Sequence, residues 1–216
     1  MFTLFEELLL LSIDEENGSS HPSISDNLGL GMSGALLAEL ALRGKLNASE
    51  SHRIELKDMS QIGDEILDEA LEQMQLSGQP RKVTYWIKHF SDEPKKLRQR
   101  LIERLESAGI VKQEEKHLTW VIPYADSPEE NASAKFVLKS RIRKSVLTDE
   151  ELDLHDLALL SLVKACNLLN LVFTKDERKM ARRRIYELMV SSTLRDPEFQ
   201  AIQEIEAAVE SQVEDS

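Results

Sequence analysis

Apolar positions crowd most densely into three short segments of the first third of the chain. They are Phe2-Thr3-Leu4-Phe5-Glu6-Glu7-Leu8-Leu9-Leu10-Leu11, Gly34-Ala35-Leu36-Leu37-Ala38-Glu39-Leu40-Ala41-Leu42-Arg43-Gly44 and Gly63-Asp64-Glu65-Ile66-Leu67-Asp68-Glu69-Ala70-Leu71. Each is written in Leu, Ala and Glu, residues of high helix propensity, and each is too apolar to stand alone in water. Between Gly34 and Arg43 the sole polar residue is Glu39, so a helix here must bury most of its circumference. Gly44 after Arg43 has the form of a C-terminal cap with a cation in the last turn.

The same patterning organises the rest of the chain. The first helix ends near Ser12, and a Ser, Asn and Gly-rich loop over 14–27 leads to the buried helix at about 28–43. The alternation Arg53-Ile54-Glu55-Leu56-Lys57 predicts a short strand. Asp64 opens a helix that Ser77-Gly78-Gln79-Pro80 stops, and 82–90 buries Trp86, Ile87 and Phe90. Pro94 suits the first turn of a further helix, with Leu97, Leu101, Ile102 and Leu105 as its apolar stripe and Gly109 as its end. Residues 110–112 and 118–122 flank the polar turn Gln113-Glu114-Glu115-Lys116 and predict a hairpin. Helices follow at about 131–147, 149–171 and 175–190, and an acidic one from Pro197 is expected to fray into the terminus. The fold class is therefore mainly α: a single helical domain with a helical core, surrounding amphipathic helices and one small projecting β-hairpin. Its division is a helical domain at 1–190 and an acidic C-terminal helix or tail at 191–216.

Composition narrows the function classes. A chain of 216 residues suits one sizeable domain, and the single cysteine, Cys166, allows neither an internal disulfide nor a paired-cysteine metal motif. Glu6 and Glu7 interrupt the apolar N-terminus without a basic leader, so no secretory signal is expected. The most apolar long run, 157–173, contains Lys164, Asn167 and Asn170 and is short for a bilayer span, and it reads as a core helix. The net charge of −12 disfavours nucleic acid as a partner. Acidic residues crowd the tail, whereas cations gather in three runs: Lys95, Lys96, Arg98, Arg100 and Arg104; Lys135, Lys139, Arg141, Arg143 and Lys144; and Arg178, Lys179, Arg182, Arg183 and Arg184. These runs can form a locally positive face, or they can be ordinary solvated helix faces.

Catalytic signatures do not emerge. The sequence contains no phosphate-binding glycine loop, His-Glu-x-x-His or Gly-x-Ser-x-Gly motif, and its five histidines lack ligand spacing. His155 near Glu151 and Asp156 reads as surface charge. The pairs Glu6/Glu7 and Asp64/Asp68 fall at helix starts, where the macrodipole favours acids. Trp86 reads as a core anchor. Leu118, Trp120 and Val121 on the hairpin can either pack on the protein's own helices or touch a partner or a bilayer interface. No cofactor and no metal are expected, and the protein is read as not an enzyme.

Taken together, the opening Leu4-Phe5-Glu6-Glu7-Leu8-Leu9-Leu10-Leu11, the 34–44 helix, Gly63-Asp64 with Leu67-Asp68-Glu69-Ala70-Leu71, Trp86-Ile87, Arg98-Gln99-Arg100-Leu101 and Gly109-Ile110-Val111 resemble the Golgi phosphoprotein 3 family in one consistent order over about 2–190. A divergent or prokaryotic-type member is indicated, and the final acidic segment matches less well. The resemblance implies a non-catalytic peripheral membrane protein, cytoplasmic, that binds phosphatidylinositol 4-phosphate and acts as an adaptor. It implies Lys95 and Arg98 as headgroup-binding residues, i, i+3 apart on one helix face. It also implies that the hairpin at 110–123 contacts the membrane or mediates homo-oligomerisation. Two further binding positions of the family fall on Ser33 and near Ile24, where the arginine and the aromatic of the family are replaced. The expected partner is an anionic phospholipid. The alternative is a cytosolic protein–protein interaction module of the same fold that has lost specific phosphoinositide binding.

Overall fold

The computed structural model describes residues 2–13, 25–49, 52–92, 94–114, 117–120, 133–148, 152–191 and 197–215. Its organising element is α1 (Leu4–Ser12), every residue of which is buried. Thr3 caps this helix reciprocally with Glu6: Glu6 N–H donates to Thr3 Oγ1 at 3.4 Å, and Thr3 N–H donates to Glu6 Oε2 at 2.8 Å. The sequence places acids at this helix start, and the fold uses one of them to complete the cap.

Around α1 lies α2 (Ser25–Leu42), the buried Leu/Ala helix. Its C-terminus closes as the sequence indicates. Gly44 takes φ +68°, Gly44 N–H donates to Ala41 O at 2.8 Å and Lys45 N–H to Leu40 O at 2.9 Å, the paired bonds of a Schellman cap. Apolar on all sides, α2 packs against α1, α4 (Val83–Ser91), α7 (Leu154–Ala165) and α10 (Pro197–Glu214). Gly31 and Gly34 allow that crowding. A Cβ at Gly31 would lie 2.6 Å from Cys166 Sγ, and one at Gly34 would lie 2.6 Å from Val209 Cγ2 and 3.0 Å from Leu162 Cδ2. The Cys166 thiol is enclosed there, and burial pushes its pKa up to about 12.

Outside this centre, α3 (Glu65–Leu76) is capped by Asp64, which accepts from Ile66 and Leu67 N–H. A three-stranded antiparallel sheet, order β1-β2-β3, joins β1 (Leu46–Ala48), β2 (Arg53–Leu56) and β3 (Arg81–Lys82). It registers Leu46 opposite Leu56 and Ile54 opposite Arg81. The sequence pattern indicates β2 alone, because three- and two-residue strands carry too little alternation to register. Helix α5 (Pro94–Ser107) runs into a hairpin of β4 (Val111–Glu114) and β5 (His117–Trp120), pairing Val111 with Trp120 and Glu114 with His117. The remaining helices are α6 (Ala134–Leu147), α8 (Leu169–Val172) and α9 (Arg178–Ser191). The structure is thus mainly helical with a small sheet and a hairpin, in the class expected.

Two local expectations change. The single helix expected at 149–171 is broken into α7 and α8 by Asn167, which adopts φ +57°. Leu168 N–H then donates to Val163 O at 2.8 Å, so Asn takes the left-handed cap position usually given to Gly. Asn27 of α2 donates to the Cys166 carbonyl at 3.1 Å, satisfying part of the same helix end. The segment from Pro197, expected to fray, is an 18-residue helix with Phe199, Ala201, Ile202, Ile205, Ala208 and Val209 buried. Its acids lie beside an apolar stripe that packs on α2. Among the described residues no helix is long and apolar enough to cross a membrane.

Candidate functional site

Helix α5 carries the expected headgroup residues. Its stripe Leu101, Ile102 and Leu105 is buried, and it ends in a second Schellman cap in which Gly109 has φ +70° and Ile110 N–H donates to Leu105 O at 2.9 Å. That turn aims the chain into β4, where Val111 is buried. The hairpin therefore issues directly from the cationic helix.

Arg98 is half-buried on α5, and burial shifts its guanidinium pKa downward. Lys95 lies in the first turn of α5, with its side chain outside the described residues. Leu118 and Trp120 stand on β5, with side chains also outside the described residues, as are Val121 and Ile24 entirely. Ser33 is fully buried within α2 and donates its hydroxyl to Gly29 O at 3.0 Å. A hydroxyl turned into the helix and satisfied four residues back is an interior group. It makes no surface contact for a headgroup.

Two other α5 cations, Arg100 and Arg104, are engaged with carboxylates. Arg100 donates to Glu69 at 2.5 Å. Arg104 grips Asp64 through two bonds, at 2.7 and 3.1 Å, and reaches Glu6 at 3.4 Å. Burial alone would lower the Arg104 pKa, but Asp64 and Glu6 outweigh it and raise it, while Asp64 is held below its ordinary value despite its own burial. The two arginines of the second cationic run behave alike. Arg141 of α6 donates to both oxygens of Glu7, at 2.9 and 3.1 Å, and pairs with Asp156 at 2.8 Å. His155 bonds the same Glu7 carboxylate at 3.0 Å. Arg143 binds Glu177 at 2.6 and 2.8 Å, and Lys135 donates to the Ile13 carbonyl. Glu39 completes the frame by accepting from Leu4 N–H at 2.9 Å and pairing with Arg43 at 2.8 Å.

These contacts revise the reading of His155. It is not surface charge: its side chain is 15% exposed and it closes an ion cluster over α1. Burial would depress its pKa, but the hydrogen bond and charge of Glu7, with Glu39 adding, raise it overall. Asp156 shifts upward, chiefly through desolvation, which the nearby Arg141 offsets only in part. Sequence spacing could not reveal the cluster, because Glu7 and His155 stand 148 positions apart.

A cleft of about 290 Å³ opens beside α5, with Leu36, Ile66, Ala70 and Leu97 at its base and Lys96, Arg100 and His89 among its polar groups. Arg98 is not part of it: two residues from Arg100, it lies about 200° round the helix. Among the described residues no group of three or more His, Cys, Asp or Glu side chains is placed to hold a metal ion.

The architecture is that of a helical domain built on one buried Leu-rich helix, with a hairpin leaving a cationic helix at its surface. Residues 4–209 match the family model described as Golgi phosphoprotein 3 (GPP34), and the chain belongs to that family. The match runs into α10, beyond the limit the sequence resemblance suggests. Vacuolar protein sorting-associated protein 74 of Eremothecium gossypii is 30% identical over 173 residues, covering 71% of this chain and 51% of that protein. The Schizosaccharomyces pombe protein of the same name is 30% identical over 175 residues, covering 71% and 50%. The chain therefore spans about half the length of these curated relatives.

Proposed function

We propose that this protein is a non-catalytic peripheral membrane protein that recognises anionic phospholipid headgroups through Lys95 and Arg98 of α5. Family membership supports a role at Golgi-type membranes with phosphatidylinositol 4-phosphate as ligand, and the name of the two relatives supports a role in protein sorting. The observation that carries the reading is the position of Arg98, a guanidinium half-withdrawn from water on the helix that launches the hairpin. A cation so placed gains more from a phosphate than a fully hydrated one does. Lys95 supplies charge one turn earlier, without the bidentate geometry of arginine. In this reading the hairpin, with Leu118, Trp120 and Val121, touches the bilayer or a second subunit, and the protein is cytoplasmic.

Flotation on liposomes with and without phosphatidylinositol 4-phosphate tests the reading. Recruitment that Lys95→Ala/Arg98→Ala abolishes is the expected result. Equal behaviour of wild type and variant on that lipid overturns the assignment to these residues. The burial of Ser33 favours a second reading, a protein interaction module that no longer selects one phosphoinositide. Partner capture and mass photometry that respond to Trp120→Ala, with no lipid recruitment, would select it.

A further inference from the structure

Three cationic runs look alike in the sequence, but the fold treats the last one differently. On α5 and α6, Arg100, Arg104, Arg141 and Arg143 turn toward carboxylates of α1, the N-terminal end of α3 and the residue before α9. In α9 the buried stripe is Ala181, Ile185 and Met189. Lys179, Arg182 and Arg183 consequently stand on the outer side and are exposed. Among the described residues of α9, Glu187 is the acid on that side, and it meets Arg183 at 3.3 Å while the Arg183 side chain stays 76% exposed. Tyr186 and Val190 lie among these cations, 60% and 65% exposed, and Met180 flanks them at 47%.

We propose that this outer face of α9 is a second contact for an anionic lipid surface, separate from the α5 residues. The proposal rests on the lipid-binding reading above. Charge complementarity selects the occupant: a local excess of cations on a protein of net charge −12 is attracted to a negative surface although the whole molecule is not. The chemistry of the interspersed residues favours a bilayer over an acidic protein. Long Lys and Arg stems reach phosphates while their methylenes lie along the interface, and a Tyr ring with small aliphatic neighbours suits headgroup depth. The apolar stripe of α9 stays in the core, so the contact is superficial and electrostatic, without insertion of the helix. Its range is then about one Debye length, roughly 10 Å at 0.1 M salt.

The test uses the full chain and flotation on phosphatidylcholine vesicles with and without phosphatidylserine, at low and high salt. Neutralising the face with Lys179→Gln/Arg182→Gln/Arg183→Gln is expected to lower partitioning onto phosphatidylserine vesicles by roughly tenfold or more, and to remove most of its salt dependence. Lys179→Arg/Arg182→Lys/Arg183→Lys keeps the charge and should float like wild type, with circular dichroism confirming that both variants are folded. Tyr186→Ala should reduce partitioning by a smaller factor that persists at high salt. If wild type floats, Arg98→Ala is impaired and the neutralised α9 variant matches wild type, the α9 proposal fails while the α5 reading stands. If the α9 variant loses binding and Arg98→Ala does not, the α9 contact stands and the α5 assignment falls. A wild type that floats on none of these vesicles overturns both. An unchanged flotation accompanied by loss of a salt-sensitive dimer would assign the face to the acidic α10 of a second copy and overturn the lipid contact.

Discussion

Helices α6 and α9 pack against one another and carry cations at similar density, yet Arg141 and Arg143 of the first and Arg182 and Arg183 of the second stand in opposite settings. On α6, Arg141 lies over Glu7, a carboxylate 1% exposed, and Arg143 holds Glu177. On α9, Arg183 meets the half-exposed Glu187 of its own helix among the described residues. The difference is not in the residues. It lies in what the neighbouring elements present, since α1 and α7 turn acids toward α6, whereas α9 turns Ala181, Ile185 and Met189 toward the core. A cation opposite a buried carboxylate is part of the frame, and a cation facing water is available for a partner.

The sharpest way to break this contrast is Arg141→Met. Removing the guanidinium strands Glu7 and Asp156 in partly dehydrated positions and should destabilise the fold by about 2–3 kcal/mol in urea denaturation, below the full cost for a buried pair because Arg141 keeps some solvent contact. A loss no larger than that of Arg183→Met would erase the distinction between the helices. Arg104→Met is next. It releases Asp64 and Glu6 and is expected to cost about 1–2 kcal/mol, most of it recoverable by pairing it with Asp64→Asn.

The α6 cluster should also be visible in the pH dependence of stability. His155 binds its proton more tightly folded than unfolded, so its contribution is complete below its ordinary value of 6.5 and is lost as pH rises through the higher folded value. Asp156, shifted upward from 3.8, carries the same sign but its loss begins at that lower pH, so the fall above pH 6.5 belongs to His155. Stability curves at successive pH values should therefore fall above pH 6.5 in wild type and flatten in His155→Gln, whereas the α9 variants keep the wild-type slope. An unaltered slope in His155→Gln would remove His155 from the cluster. The smallest effect is expected for Arg183 and Glu187, where a double-mutant cycle should give a coupling of about 0.3–0.5 kcal/mol.

Much of the framework is legible in the residues. The Leu/Ala run of α2, the Gly44 stop, the Asp64 cap and the stripe of α5 are local signals, and each appears where the pattern puts it. The candidate site is legible only in outline. Spacing puts Lys95 and Arg98 on one face, but nothing in the neighbourhood of Ser33 indicates that its hydroxyl turns inward, nor could spacing distinguish Arg100 and Arg104, held by acids of α3 and α1, from cations left to solvent. His155 and Glu7 meet across nearly the whole chain, and the helix expected at 149–171 is interrupted because Asn167 accepts a left-handed conformation that its residue type permits without requiring.

What the sequence by itself determined is where most helices lie, which of their faces are apolar, and the family to which the order of segments belongs. These follow from short-range physics: propensity, capping and the 3.6-residue period. Tertiary structure alone decided which charges are internal. An arginine has the same local pattern whether a carboxylate 134 positions away closes on it, as Glu7 does on Arg141, or whether it faces water, as Arg183 does. Ion pairing depends on through-space distance and desolvation, and those quantities exist only once α1 is enclosed and α9 is left at the surface.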